Sequence, residues 1–255
     1  MDKVVEVIDV SMNYHTLEGE TEAIRKLNFD IMNGEFVSIV GPSGCGKSTL
    51  LSLISGILTP TSGKVLINGK KVEGPSASVG YMLQKDHLFE WRNIMKNITI
   101  GLEIQGKLNK ENQEFVEQLL KEYGLYEFRN HYPRQLSGGM RQRVALIRTL
   151  ATKPNILLLD EPFSALDYQT KIAISEEVWL ILKKEKKTAI LVTHDLAEAI
   201  SMSDRIIVLT KRPAEIKSMH QINLSCDCKT PITCREAPEF RIYFNKIWKE
   251  LDVHV

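Results

Sequence analysis

Apolar positions along this chain fall into two textures. The first third reads as strands: VVEVIDV (Val4 to Val10) alternates imperfectly, and LNFDIMNGEFVSIVG holds two apolar runs around Asn33-Gly34. That dipeptide favours the tight turn of a β-hairpin, so the two runs are expected to pair. A second Asn-Gly, Asn68-Gly69, follows the apolar residues of KVLI. Between these turns, STLLSLISGIL (Ser48 to Leu58) spaces its leucines and isoleucines as a helix does. From about Asn93 to Leu150 the texture is polar and helical. There ENQEFVEQLLKEYGL sets Phe115, Val116, Leu119 and Leu120 on one face and stops at Gly124, a C-cap residue.

The last third alternates again. NILLLD, TAILVTH and RIIVLT are short apolar runs, with KIAISEEVWLILKKEKK and DLAEAISMS as helical patterns between them. Short apolar strands separated by helices predict a mostly parallel sheet buried on both faces. The expected fold is therefore α/β, with antiparallel strands near the N-terminus and a helical block inserted into the core. In the tail, FRIYFNKIWKEL places Phe240, Phe244, Ile247, Trp248 and Leu251 on one stripe, expected to dock on the chain's own core.

Composition and charge narrow the picture. Lys and Arg total 33 against 32 Asp and Glu, a net charge of +1. That balance offers no electrostatic footprint for nucleic acid. No run reaches the roughly eighteen apolar residues of a spanning helix, and MDKVVEVIDV lacks the apolar block of a signal peptide. A cytosolic chain is expected, with any membrane association coming through a partner. Of the four cysteines, three (Cys226, Cys228, Cys234) crowd into one segment. In a reducing compartment a structural disulfide framework is not expected.

The chemistry starts at GPSGCGKST. Gly41, Pro42, Ser43, Gly44, Cys45, Gly46, Lys47 and Ser48 fit the phosphate-loop pattern, with a strand run before them and a helical run after. The loop's N–H groups suit phosphate oxygens, and the helix presents its positive end. Lys47 would reach the β- and γ-phosphates, and Ser48 would ligate Mg²⁺, with Thr49 near the α-phosphate. ILLLDEP delivers two carboxylates to a strand end. Asp160 suits the Mg²⁺ shell, and Glu161 could orient or deprotonate an attacking water. A second glycine-rich stretch, LSGGMRQR (Leu136 to Arg143), offers Ser137, Gly138 and Gly139 ahead of a helix, another anion-ready end.

The phosphate loop, LSGGMRQR, ILLLDEP, the SALD at Ser164 to Asp167 and the VTHD around His194 stand in the order that resembles ABC-transporter ATPases. The resemblance spans about residues 3 to 217. It implies a phosphate-loop NTPase core over residues 1–217, with an N-terminal antiparallel β subdomain and an α-helical subdomain inserted at about 88–150. Residues 218–255 are left as a C-terminal extension with the cysteine cluster and an amphipathic helix. By the same resemblance Gln84 matches the Q-loop glutamine, a catalytic group and Mg²⁺ ligand. His194 matches the switch histidine at the γ-phosphate, Asp167 the D-loop aspartate, and Tyr14 the aromatic residue that stacks on adenine. The signature residues Ser137, Gly138 and Gly139 serve the nucleotide of the opposite subunit in a head-to-tail homodimer. ATP and Mg²⁺ are the implied cofactors.

One set of motifs without fused membrane segments is similar to a stand-alone cassette that pairs with separate permease subunits. DHLFEWRNIMKNI and KRPAEI (Lys211 to Ile216) resemble segments of the nitrate/sulfonate/taurine importer ATPases, although Glu90 stands where proline is usual and Ala214 where glycine is usual. The implied setting is the cytoplasmic face of the cell membrane, as a peripheral subunit served indirectly by a solute-binding protein. In that group Leu88, Phe89 and Trp91 would receive a permease helix; packing inside the helical block is the alternative. A soluble ABC ATPase that assembles a cytosolic complex is the rival reading. His220, Cys226, Cys228 and Cys234 could form a Cys₃His metal site or a redox-sensitive pair, or stay a cluster of reduced thiols.

Overall fold

A computed structural model describes residues 2–16, 19–164, 166–226 and 230–251. The chain packs as two compact units, Met1–Ser76 with Ile172–Val255, and Ala77–Lys171. Elements are numbered in chain order.

The first unit opens with two long antiparallel strands, β1 (Lys3–Thr16) and β2 (Gly19–Met32). After β3 (Phe36–Val40) and α1 (Lys47–Ile54), β4 (Ser62–Ile67) pairs with β1 and with the short β5 (Lys70–Lys71), giving the order β2-β1-β4-β5. The Asn68-Gly69 turn closes the β4–β5 hairpin with φ of 50° and 73°, the two positive values a type I′ turn needs. The Asn33-Gly34 turn does not close a hairpin. β2 pairs with β1, whereas β3 leaves for a parallel sheet. The reason lies in the residues: β2 buries only part of its length, while all five residues of FVSIV are buried. A run apolar on both faces belongs inside a covered parallel sheet.

The second unit runs from β6 (Val79–Met82) through α2 (Ile94–Ile104), α3 (Lys110–Glu122) and α4 (Gly138–Ala151) to β7 (Ile156–Asp160), and β6 and β7 pair in parallel. Asn93 and Asn109 cap α2 and α3 by accepting the N–H groups of Lys96 and Asn112. On α3, Val116, Leu119 and Leu120 are buried, and Gly124 follows the helix at φ 65°. Phe115 stays half-buried with the Lys153 ammonium 4.5 Å from its ring centre.

α5 (Tyr168–Lys184) leads back into the first unit, where β8 (Thr188–Val192), α6 (Leu196–Met202), β9 (Arg205–Leu209), β10 (Ile216–Gln221), α7 (Pro231–Cys234) and α8 (Pro238–Glu250) follow. β3 lies between β8 and β9, parallel to both, and β10 adds antiparallel to β9. The tail helix docks as its stripe predicts. Ile247 is fully buried with Leu196, Ala199 and Ile200, and Phe240, Phe244 and Leu251 pack around it, while Trp248 stays half exposed.

Candidate nucleotide site

In the first unit, the parallel strand β3 ends at Val40 and the chain turns into Gly41–Gly46 before α1 begins at Lys47. Gly44 and Gly46 stand at φ 72° and 122°, backbone that L side chains rarely adopt. A Cβ on Gly46 would also lie 3.1 Å from the Ala23 carbonyl. Gly46 is the N-cap of α1, and no side chain caps that first turn. The N–H groups at its start are therefore left without a side-chain cap, the condition an anion-binding helix end needs. The Lys47 side chain is buried and donates to the carbonyls of Gly41 (2.8 Å) and Pro42 (2.9 Å), folding its cation back over the loop. Cys45 is buried 4.0 Å from the Lys47 ammonium, and burial pushes its thiol pKa up. Tyr14, partly exposed on β1, brings its hydroxyl to 3.2 Å from the Thr49 hydroxyl. Ser43 and Ser48 complete the loop sequence.

His194 is exposed in the short segment between β8 and α6. Its neighbours hold that segment firmly. Asp195 caps α6 by accepting the N–H groups of Ala197 (2.8 Å) and Glu198 (3.2 Å). The Thr193 hydroxyl donates to Glu198 at 2.6 Å and accepts the Asp195 N–H at 3.0 Å.

In the second unit, β7 carries Asp160 at its C-terminal end, buried, with the Tyr81 hydroxyl 3.4 Å from its Oδ2. Glu161 follows at φ 47°, the left-handed region, which costs a non-glycine residue about 1–3 kcal/mol. The turn sets its carboxylate against Gln84, whose Nε2 donates to Oε2 at 2.9 Å. Two residues 77 apart in sequence are thus brought together, and the amide oxygen is the atom Gln84 has left for a cation. Ser137 is the N-cap of α4 and accepts the Met140 N–H at 3.3 Å, with Gly138 and Gly139 opening the helix. Arg141 donates to Asp86 (3.0 Å) and to the Leu136 carbonyl (2.9 Å), tying the signature stretch to the segment after Gln84. Arg148 donates to the carbonyls of His87 and Asp86. Asp167 accepts the Thr170 N–H at 3.1 Å ahead of α5, and its bonds to Thr170 hold its carboxyl below the usual range.

The segment after Gln84 divides the apolar residues singled out there. Leu88 is buried and so belongs to the packing. Trp91 is 75% exposed, with its ring 5.0 Å from that of Phe89. Asn97, fully buried on α2, accepts the Phe89 N–H at 2.7 Å and donates to the Arg92 carbonyl at 2.8 Å. This aromatic pair is therefore presented by a braced loop.

The Cys₃His arrangement does not form among the described residues. His220 is buried elsewhere, bonded to Ser218 at 3.0 Å and Glu250 at 2.9 Å, where the last turn of α8 meets β10. Cys226 and Cys234 lie with their sulfurs 3.0 Å apart. Cys228 lies outside the described residues, and among those described no group of three His, Cys, Asp or Glu is placed to hold a metal.

The sequence profile of the ABC transporter family matches residues 24–164, more than half of the chain. The chain belongs to that family. It is an ATPase of the ABC type. Among its relatives is an uncharacterized ABC transporter ATP-binding protein, YtlC of Bacillus subtilis (strain 168). It is 46% identical over 243 residues that span 95% of this chain and 94% of the relative. The nitrate import ATP-binding protein NrtD of Synechocystis sp. is 41% identical over 95% of this chain and 93% of its own. A solved structure, the dimeric post-hydrolysis state of the ATP-binding cassette MJ0796 bound to ADP and Pi, matches with a TM-score of 0.78. It is 33% identical and covers 86% of this chain and 99% of its own.

Three features of this ABC ATPase escape sequence reading. Tyr81 beside Asp160 sits on β6, a strand the sequence reading does not pick out, and Glu198 beneath Thr193 sits on a predicted helix, but nothing in their spacing marks a contact. Arg212 is the third: its guanidinium bonds the Gly44 carbonyl across 168 residues of chain. The stretch KRPAEI that contains it draws notice only as a subgroup resemblance.

Proposed function

We propose that this ABC ATPase is the energy-supplying subunit of an importer, working as a head-to-tail homodimer beneath separate permease subunits at the cytoplasmic face of the membrane. The solute class that fits is the nitrate, sulfonate and taurine group. The observation that carries this reading is the 41% identity with a nitrate import ATP-binding protein across nearly the whole of both chains. The exposed Trp91–Phe89 pair supports it, since a braced aromatic surface suits an apolar partner helix.

The residue roles are those the family resemblance implies, and the chemistry of each group fits them. The loop from Gly41 to Thr49 cradles the phosphates, Lys47 trades its two loop carbonyls for phosphate oxygens, and Tyr14 offers a ring to the adenine. Ser48, Gln84 and Asp160 present a hydroxyl, an amide oxygen and a carboxylate, the hard oxygen donors that Mg²⁺ prefers. Mg²⁺ held by such donors would supply charge stabilisation of the phosphates. Glu161 orients and deprotonates the attacking water, Gln84 holds the Glu161 carboxylate, and His194 approaches the γ-phosphate. Ser137, Gly138 and Gly139 serve the nucleotide of the second copy, and Asp167 belongs to the nucleotide-binding set.

Co-purification tests the reading. The affinity-tagged chain, recovered from detergent-solubilised membranes of its own cells, is expected to bring an integral membrane protein in equal amount. Recovery from the soluble fraction with a cytosolic complex instead overturns the importer reading and leaves the ATPase assignment standing.

A further inference from the structure

The loop that follows β9 is fastened at both of its sides within the first unit. The Thr210 hydroxyl accepts the Glu215 N–H at 2.9 Å and donates to the Pro213 carbonyl at 3.1 Å. Ala214 exchanges backbone bonds with β2, donating to Ala23 (2.9 Å) and accepting from Arg25 (3.0 Å). Arg212 stands between these anchors. Because β9 runs parallel to β3, with Val208 opposite Val40, its end lies beside the strand that opens into the phosphate loop.

From that base the Arg212 side chain reaches the loop. Nε and Nη2 both donate to the Gly44 carbonyl, at 3.2 and 2.8 Å. Gly44 is the residue at φ 72° that turns its peptide against its neighbours. Such alternation points N–H groups into one concavity and carbonyls away from it, which is what makes a loop an anion nest. A carbonyl turned inward would repel phosphate oxygen. The guanidinium fork holds the Gly44 carbonyl outward and keeps a cation next to the loop. Lys47 is bound differently: it must leave the Gly41 and Pro42 carbonyls before it meets a phosphate, and Arg212 need move nowhere.

We propose that Arg212 is a positioning residue for nucleotide binding, acting through the Gly44 carbonyl to keep the phosphate loop in its anion-binding shape. This inference rests on the reading that Gly41–Thr49 binds ATP. It adds that the shape is set by a residue from outside the motif. The ligand class is a nucleoside di- or triphosphate. Loop N–H groups serve the phosphates nearer the nucleoside, so ADP and ATP should feel the change alike.

The test is calorimetric titration of the purified full chain with MgADP and with MgATP, alongside steady-state hydrolysis. Arg212→Ala is expected to weaken both nucleotides by the same factor, about fivefold, the scale of a charge-assisted bond at an exposed site. The loss should appear in KM and leave kcat at saturating ATP in place, the mark of uniform binding. Arg212→Lys, which keeps the charge but not the fork, should fall between. It also carries the comparison if the alanine variant folds poorly. Unchanged affinity in Arg212→Ala overturns the proposal, as does a loss confined to ATP or a lowered melting temperature with nucleotide affinity intact. Lys47→Ala separates the two claims. If the wild-type chain binds nucleotide and Lys47→Ala does not, the loop reading stands whatever Arg212 does. If wild-type and Lys47→Ala are equally unable to bind, the loop reading fails, and the Arg212 proposal with it.

Discussion

Glu161 combines a left-handed backbone conformation that L side chains rarely adopt with a side chain held at 2.9 Å by Gln84. Glutamine keeps the size of the side chain and the bond to Gln84 but cannot take a proton. Glu161→Gln is therefore expected to lower phosphate release at least about a hundredfold while ATP binding persists. Wild-type turnover in that variant would remove Glu161 from the role of base. Cysteine chemistry separates in the same way. Burial raises the Cys45 thiol pKa, so at pH 8 it carries less thiolate than an ordinary cysteine, and the side chain is also shielded. Cys226, half-buried, should react with iodoacetamide well before Cys45, and peptide mass mapping over time would show the order. At this scale the sequence is most legible where a motif has fixed local spacing, as in GPSGCGKST. Arg212 was not legible, because its contact depends on strand order, which brings the end of β9 beside that of β3.

Elements were readable where one physical period dominates. FVSIV, ILLLD and TAILV carry apolar residues on both faces, and each is a wholly buried strand. The Asn33-Gly34 turn misled because turn chemistry sets a local reversal and says nothing of which strand each flank pairs with. Burial on both faces of β3 decided that instead. The tail helix is the clearest agreement, since four of its five stripe residues join the cluster that holds α6, with Trp248 left half exposed and Ile247 buried within the cluster. Truncating that side chain leaves a cavity in a closed cluster. Ile247→Ala should cost about 3 kcal/mol of stability, read as a lowered urea midpoint. A shift below about 0.5 kcal/mol would mean that α8 rests on the unit without stabilising it.

Across the whole molecule, the chain carries every motif of an ATPase centre together with a signature stretch, Ser137 to Gly139, whose proposed nucleotide is bound by another copy. Its family relative MJ0796 has been solved as a dimer bound to ADP and Pi. The proposal of a shared site rests on the ordered set of motifs, because no single residue type in LSGGMRQR announces a partner. A bulky cation at the signature separates folding from assembly. Ser137→Arg is expected to abolish hydrolysis while each copy still binds ATP, and loss of nucleotide binding in the isolated copy would contradict the assignment. The central claim, that hydrolysis needs two copies closing on ATP, is tested most directly by light scattering on Glu161→Gln with and without MgATP. The account predicts twice the monomer mass with MgATP and a monomer without it. A nucleotide-saturated monomer would contradict it.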